Sequence, residues 1–187
     1  MHSSDPPSPW AGYQQALTNP PSCTHLLVLQ EDVVVCRNLP LAVEKIAEAK
    51  PDDPVCLFVS WLPRQIAIEA RYALKNDQRY IKARVAKFCP VVAVLWPLTA
   101  AERFLSWAET AKLPGHPGQV RSDDAVLGDW IRRKQETVWV TCPSLVEHPD
   151  RVPSVKGRQN AQWGKDRGRI ALQWIGRERD PLELDWS

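Results

Sequence analysis

The chain has 187 residues, of which 44% are hydrophobic and 25% charged, and its formal net charge is +2. This length fits one globular domain with a hydrophobic core, since domains typically have roughly 100 to 200 residues. The longest apolar run, Cys89 to Trp96, is shorter than the roughly 18 residues of a membrane span. The start of the chain lacks the basic and apolar regions of a secretory signal. We therefore expect a soluble, cytoplasmic protein with no membrane span.

The cysteines are odd in number and form no CxxC pair, and most lie in apolar segments. This pattern predicts reduced, buried thiols rather than a disulfide scaffold or a zinc knuckle. The residues concerned are Cys23, Cys36, Cys56, Cys89 and Cys142.

Helical and strand patterns alternate along the chain. Residues 1–9 are rich in proline and predict a flexible start. Apolar residues at helical spacing predict a first helix over 10–17, and a continuous apolar run predicts a buried strand over 25–29. Asn38 is placed to cap a helix that runs to about residue 50, and 55–59 reads as a second buried strand.

The second half continues this alternation. Extended stretches at 81–88 and 91–95 flank Pro90 and predict an antiparallel pair or an edge excursion, because proline cannot donate to a central ladder. The other predicted elements are helices over 65–76, 99–112 (capped by Thr99) and 122–135 (capped by Ser122), a loop over 113–120, and a strand over 138–142. The class expected is α/β, with a mostly parallel sheet that carries an antiparallel element.

The composition changes after residue 150, which predicts a body over 1–150 and a basic C-terminal arm over 151–187. Eight Lys or Arg oppose two acids between Arg151 and Arg179, a local charge of +6. Apolar residues recur there at helical spacing, which predicts a helix that packs on the body; they are Ile170, Ala171, Trp174 and Ile175. A solvated tail and a segment that binds a polyanion are the alternatives.

Two carboxylates, Glu31 and Asp32, follow the first predicted strand. In open α/β sheets the carboxyl ends of strands are where ligands bind, and paired carboxylates can hold a divalent cation. Acids at this position are also common in ordinary turns. Metal binding and a turn cap are both open on spacing alone.

Further polar residues stand near other predicted element ends. Asp123 and Asp124 open a helix, where the helix dipole favours acids, but one of them could also serve as a general base. His148 follows the last predicted strand and is either a metal ligand or an ordinary core or surface histidine. Trp96 and Trp130 lie near these segments and are either sugar-stacking platforms or core residues.

Three segments in order, THLLVLQED, SDDAVLGDW and TCPSLVEHPDRVPS, resemble glycosyltransferases of the GT-A type, in particular small bacterial and phage-encoded forms. The resemblance runs from about Trp10 to Gly176. It implies a metal-dependent transfer of a sugar, with inversion, from a nucleotide-sugar donor to an acceptor hydroxyl. A base of hydroxymethylated DNA, a surface glycan and a small metabolite are the acceptors left open.

The resemblance also assigns roles to residues. It implies that Asp32, with Glu31, coordinates Mn²⁺ or Mg²⁺ on the donor diphosphate, that His148 is a further metal or diphosphate ligand, and that Asp123 or Asp124 is the base. Gln30, in the same motif, is expected to bind the donor or the acceptor. Glu31 departs from the family pattern, in which an aspartate is usual.

The second departure from the family lies at the start of the chain. The chain begins close to the segment that matches Trp10 to Leu17, so we expect the first βα unit to be lacking and a partner chain to be able to complete the nucleotide site. A donor-binding-deficient binding or scaffolding protein of this fold, and a nucleic-acid-binding module, are the alternative interpretations.

Overall fold

The structure is a computed structural model that describes residues 9–61, 64–83, 91–111, 122–148 and 170–187. Within these ranges helices and strands alternate, which confirms the α/β class. The helices are α1 (Pro9–Leu17), α2 (Leu39–Ala49), α3 (Arg64–Lys75), α4 (Leu98–Thr110) and α5 (Asp123–Lys134), and a 3₁₀ helix covers Pro181–Glu183. The strands are β1 (His25–Leu29), β2 (Val34–Val35), β3 (Val55–Cys56), β4 (Tyr80–Lys82), β5 (Ala93–Pro97), β6 (Trp139–Thr141) and β7 (Val146–Glu147).

Five of these strands form one mixed sheet in the order β1-β5-β3-β6-β4. β3 and β6 pair in parallel, whereas β5 pairs antiparallel with both β1 and β3, and β4 pairs antiparallel with β6. β1, β3 and β6 therefore run in one direction, and β5 and β4 run in the other. The mixed character was expected, but three of the four strand pairings in the described sheet are antiparallel.

An aromatic cluster forms the centre of the core. Trp96 of β5 stacks on Phe104 of α4 with ring centroids 5.1 Å apart, and Trp130 of α5 lies 5.8 Å from Trp96. Trp10 of α1 meets Phe104 edge to face. These rings join three helices to β5, and burial of such large apolar surfaces is the main stabilising contribution to the fold.

A separate two-stranded sheet lies next to the first. β2 and β7 pair antiparallel, with Val34 opposite Glu147 and Val35 opposite Val146. The Cys36 N–H extends the pairing by donating to the Leu145 carbonyl at 3.1 Å. This ladder places the segment that follows β1 next to the segment that precedes His148.

The C-terminal segment packs on the body without forming the expected helix. Residues 170–180 contain no α-helix, and Ala171 and Trp174 instead form isolated β-bridges to Ser60 and Ser144. The Leu172 N–H donates to the Val59 carbonyl at 2.7 Å. The helix predicted from the apolar spacing does not form at these residues, because their backbone groups hydrogen-bond with neighbouring segments instead of with each other. Residues 151–169 lie outside the described part of the chain, so the proposed charged arm is described only at its end.

Some other predictions about individual elements differ from the structure or concern residues outside the described ranges. Tyr80–Lys82 is an edge strand on β6 rather than a partner of the 91–95 stretch, so the edge alternative is the one observed in the described residues. Pro97 rather than Thr99 is the N-cap of α4. The Pro-rich residues 1–8, part of the 81–88 stretch and the predicted 113–120 loop lie outside the described ranges. No helix within those ranges is long and apolar enough to cross a membrane.

Cysteine burial follows the expectation where it is described. Cys23, Cys36, Cys56 and Cys142 are free thiols, and all but Cys23 are buried. Burial raises the pKa of Cys36 to about 11 and that of Cys56 and of Cys142 to about 12. These three thiols are therefore protonated at neutral pH and act as small apolar core groups. Cys89 lies outside the described residues.

Candidate functional site

The carboxyl ends of β1, β3 and β6 meet at one edge of the sheet, because these three strands run in the same direction. The Gln30 N–H donates to the Val92 carbonyl at 3.0 Å, so pairing with β5 continues to residue 30. Glu31 and Asp32 then form a turn. The polar residues predicted after β1 therefore lie at the edge where α/β sheets bind ligands.

Asp32 and His148 meet at this edge. The Nε2 of His148 lies 3.0 Å from the Oδ2 of Asp32, and the histidine side chain is only 5% exposed whereas that of Asp32 is 31% exposed. The β2–β7 ladder sets this contact, because it pairs the residues that follow Asp32 with those that precede His148. Glu31, one residue earlier, is exposed. A solvent-reachable carboxylate is thus held by a buried imidazole.

Gln30 and Asp123 form a second contact at the same edge. The Gln30 side chain hydrogen-bonds with the Asp123 carboxylate, which ties the end of β1 to the first turn of α5. Asp123 Oδ1 also accepts from the Asp124 N–H at 3.0 Å, and Asp124 Oδ1 accepts from the Ala125 N–H at 2.8 Å. The turn after β1 and the start of α5, far apart in sequence, are therefore joined through side chains.

The two aspartates of α5 differ in their surroundings. Asp123 is buried, at 8% exposure, and burial is the largest of the effects that raise its pKa above 3.8; the hydrogen bonds from the Asp124 N–H and from Gln30 act the other way. Asp124 is half-buried. Of the two, Asp124 is the one with a solvent-facing surface, and Asp123 is the one that fixes the helix start against Gln30.

Among the described residues, Asp32 and His148 form the candidate pair of donors to a cation. No group of three or more His, Cys, Asp or Glu residues is arranged to hold a metal ion within the described ranges. The Asp32 and His148 atoms are 3.0 Å apart, which is the distance of a direct hydrogen bond. Mg²⁺ is usually bound through one or two carboxylates plus substrate phosphates and water, whereas imidazole is a more usual ligand of transition metals. Asp32 therefore supplies a donor of the kind that such a cation takes, and His148 lies within hydrogen-bonding distance of it.

The two tryptophans named as stacking platforms are core residues instead. Trp96 is 0% exposed and Trp130 is 1% exposed. The Trp96 Nε1–H donates to the Tyr13 hydroxyl at 2.8 Å, so its polar atom is also used inside the core. Neither ring presents a face on which a sugar could stack in this structure, and the ligand role is corrected to a packing role.

Sequence reasoning missed Glu147. Its Oε1 accepts from the Ala171 N–H at 2.8 Å and from the His148 N–H at 2.9 Å. One carboxylate oxygen thus joins the C-terminal segment to the backbone of the candidate ligand. A glutamate beside a histidine carries no local signal for this role, since its partner is 24 residues further along the chain.

Comparisons with known proteins do not name a family: no family model matches the chain, and no curated protein matches it.

Proposed function

We propose that this protein is a metal-dependent glycosyltransferase with a GT-A-like fold, which transfers a sugar from a nucleotide-sugar donor. The observation that carries the proposal is the meeting of three sequence segments at one sheet edge: Gln30 contacts Asp123, and Asp32 contacts His148. These are the segments on which the resemblance rests. Their spacing in sequence does not require them to meet, so their convergence is support independent of the motifs.

Asp32 and His148 are the residues that would hold Mn²⁺ or Mg²⁺, with exposed Glu31 close by. Such a cation, when bound, neutralises charge on a departing diphosphate. The buried imidazole contacts the Asp32 carboxylate, whose side chain is 31% exposed. Glu147 in turn fixes the backbone at His148.

Asp124 is the proposed base. A base must reach the acceptor hydroxyl, and Asp124 is half-buried whereas Asp123 is buried against Gln30. Asp123 then serves as a positioning residue that holds the first turn of α5. Asp124 would accept the hydroxyl proton while the acceptor oxygen attacks the anomeric carbon. The bond from that carbon to the diphosphate oxygen would break on the opposite face, so the nucleoside diphosphate would leave and the configuration would invert.

A second candidate function is a binding or scaffolding protein that no longer binds the donor productively. The observation that favours it is the supply of two donor side chains in the described residues, where a preformed metal centre would have more. The two functions differ in one property, since only the enzyme requires a nucleotide and a metal to bind together.

The acceptor class is proposed from the charge of the C-terminal arm. Modified DNA is one acceptor class, and the local charge of +6 between Arg151 and Arg179 supports it. The same charge would suit an anionic glycan.

A thermal-shift panel tests the proposal. UDP, GDP, TDP and CMP are each added with Mn²⁺, with Mg²⁺ or with EDTA, and at least one nucleotide is expected to raise the melting temperature only when the metal is present. Asp32→Ala should remove that shift, and Asp52→Ala, which removes an exposed acid from the loop before β3, should retain it. No metal-linked shift with any nucleotide would overturn the enzyme and leave the binding protein.

A further inference from the structure

The two outermost strands of the five-stranded sheet, β4 and β1, differ in how well their sequences prevent pairing with a further strand. β4 at one edge has three residues and includes Lys82, with Arg79 just before it. β1 at the other edge has five residues, HLLVL, with no Lys, Arg, Asp, Glu or Pro. Natural sheets discourage edge pairing with short strands, lysines and prolines. β4 carries such protection and β1 carries none.

β1 pairs along one side only within the described part of the chain. The Leu98 N–H donates to the Thr24 carbonyl and the Gln30 N–H to the Val92 carbonyl, both at 3.0 Å. Hydrogen bonding alternates along an antiparallel strand, so the even-numbered residues face β5. The backbone N–H and C=O groups of His25, Leu27 and Leu29 therefore point away from β5.

The same strand also has apolar side chains that are partly exposed to solvent. The first four residues of β1 are partly exposed and Leu29 is exposed, whereas every residue of the neighbouring β5 is buried. Leu29 is 39% exposed, one of few large apolar side chains so exposed in the described residues. A strand added along β1 would remove this surface from water and would satisfy the outward backbone groups.

We propose that β1 is a dimerisation edge, at which the β1 strands of two copies of this chain pair antiparallel about a two-fold axis through Leu27. Full overlap of two five-residue strands places Leu27 opposite its copy and His25 opposite Leu29. The two sheets then form one continuous sheet. This inference does not depend on the proposed function.

The flanking residues favour a second copy in this orientation. In the same register Gln30 lies opposite Thr24, and the turns that carry Glu31 and Asp32 in the two copies lie at opposite ends of the paired strands. Parallel pairing in register would place Glu31 and Asp32 beside their own copies, and like charges directly opposite are destabilising. The strand is therefore self-complementary when antiparallel, as a two-fold interface requires.

Size-exclusion chromatography with light scattering tests this over micromolar concentrations. The wild type is expected at twice the chain mass of 21.2 kDa. Leu29→Lys places a charge on the edge, and Leu27→Pro removes an outward N–H without removing a bond to β5; both should elute as monomers. Leu41→Lys, at a leucine of α2 that is 48% exposed against 39% for Leu29, is the matched control and should remain a dimer.

Far-ultraviolet circular dichroism of each variant confirms that the fold is kept, and two different edge variants guard against misfolding of either one. A monomeric wild type at every concentration overturns the proposal. So does a dimer that survives both edge variants, because the contact then lies elsewhere. Assemblies larger than a dimer contradict the two-fold register, since pairing of the two β1 edges closes after two copies.

Discussion

The Nε2 of His148 lies 3.0 Å from the Oδ2 of Asp32, and this contact joins the turn after β1 to the end of β7. If the pair holds a cation, His148→Ala should weaken Mn²⁺-linked nucleotide binding by at least tenfold, because supporting residues of a metal site typically contribute that much. Isothermal titration with Mn²⁺ and the nucleotide from the thermal-shift panel measures the loss. His25→Ala, at the amino end of β1, is the control and should bind as the wild type does. Unchanged binding by His148→Ala would remove the histidine from the site.

A pH-dependent stability is expected from Asp123. Burial raises its pKa above 3.8, so the folded state holds the proton more tightly than the unfolded state does. The stability contributed by this group is therefore greatest in acid, falls as pH rises through 3.8, and levels off above the raised pKa. Asp123→Asn cannot titrate, and its free energy of unfolding should rise relative to the wild type over that interval.

Urea unfolding at a series of pH values from 3.5 to 7 gives the two curves for Asp123→Asn and the wild type. Asp52→Asn, a change at an exposed carboxylate, should follow the wild type throughout. Parallel curves for Asp123→Asn and the wild type would show that Asp123 is not the group that burial perturbs.

The core role of Trp130 is open to a direct test. Trp130→Ala should lower the free energy of unfolding by about 3 to 5 kcal/mol, because it leaves a cavity beside Trp96 and Phe104. Trp61, which is partly exposed under Arg71, provides the same substitution outside this cluster and should cost less. Equal losses for the two variants would contradict the packing role.

The C-terminal segment is expected to be part of the folded unit. Asn38 Nδ2 donates to Asp180 Oδ2 at 2.8 Å, and the Arg37 N–H donates to the Arg177 carbonyl at 2.9 Å. A double-mutant cycle of Asn38→Ala and Asp180→Ala should give a coupling of about 1 kcal/mol. Additive effects in urea unfolding would show that this contact does not hold the segment.

Most of the helices could be predicted from local sequence patterns, whereas the helix predicted at residues 170–175 was wrong because tertiary contacts determine that segment. The helices that begin near Trp10, Asn38, Gln65 and Ser122 were predicted because apolar spacing and chain breaks are local signals. Residues 170–175 show helical spacing yet run beside Val59 and Ser144, because tertiary hydrogen bonds override a weak local preference.

For the candidate site, the sequence identified some of the residues but not the contacts between them. Acids after a strand and at a helix start are visible in sequence, so Asp32 and Asp123 could be named. Their partners could not be derived from local spacing, because the contacts with His148 and Gln30 depend on how the strands are ordered in space. The sequence could not decide between a stacking role and a core role for Trp96 and Trp130, because position near a motif does not reveal burial.

Release of nucleoside diphosphate from UDP-, GDP- and TDP-sugars, with and without Mn²⁺, tests the proposed glycosyltransferase most directly. Water can replace the acceptor in this assay, so no acceptor need be known. We predict Mn²⁺-dependent release by the wild type and a loss of roughly 100-fold or more in Asp124→Asn, with metal-linked nucleotide binding retained. No release from any donor, together with no metal-linked nucleotide binding, would contradict the proposed function.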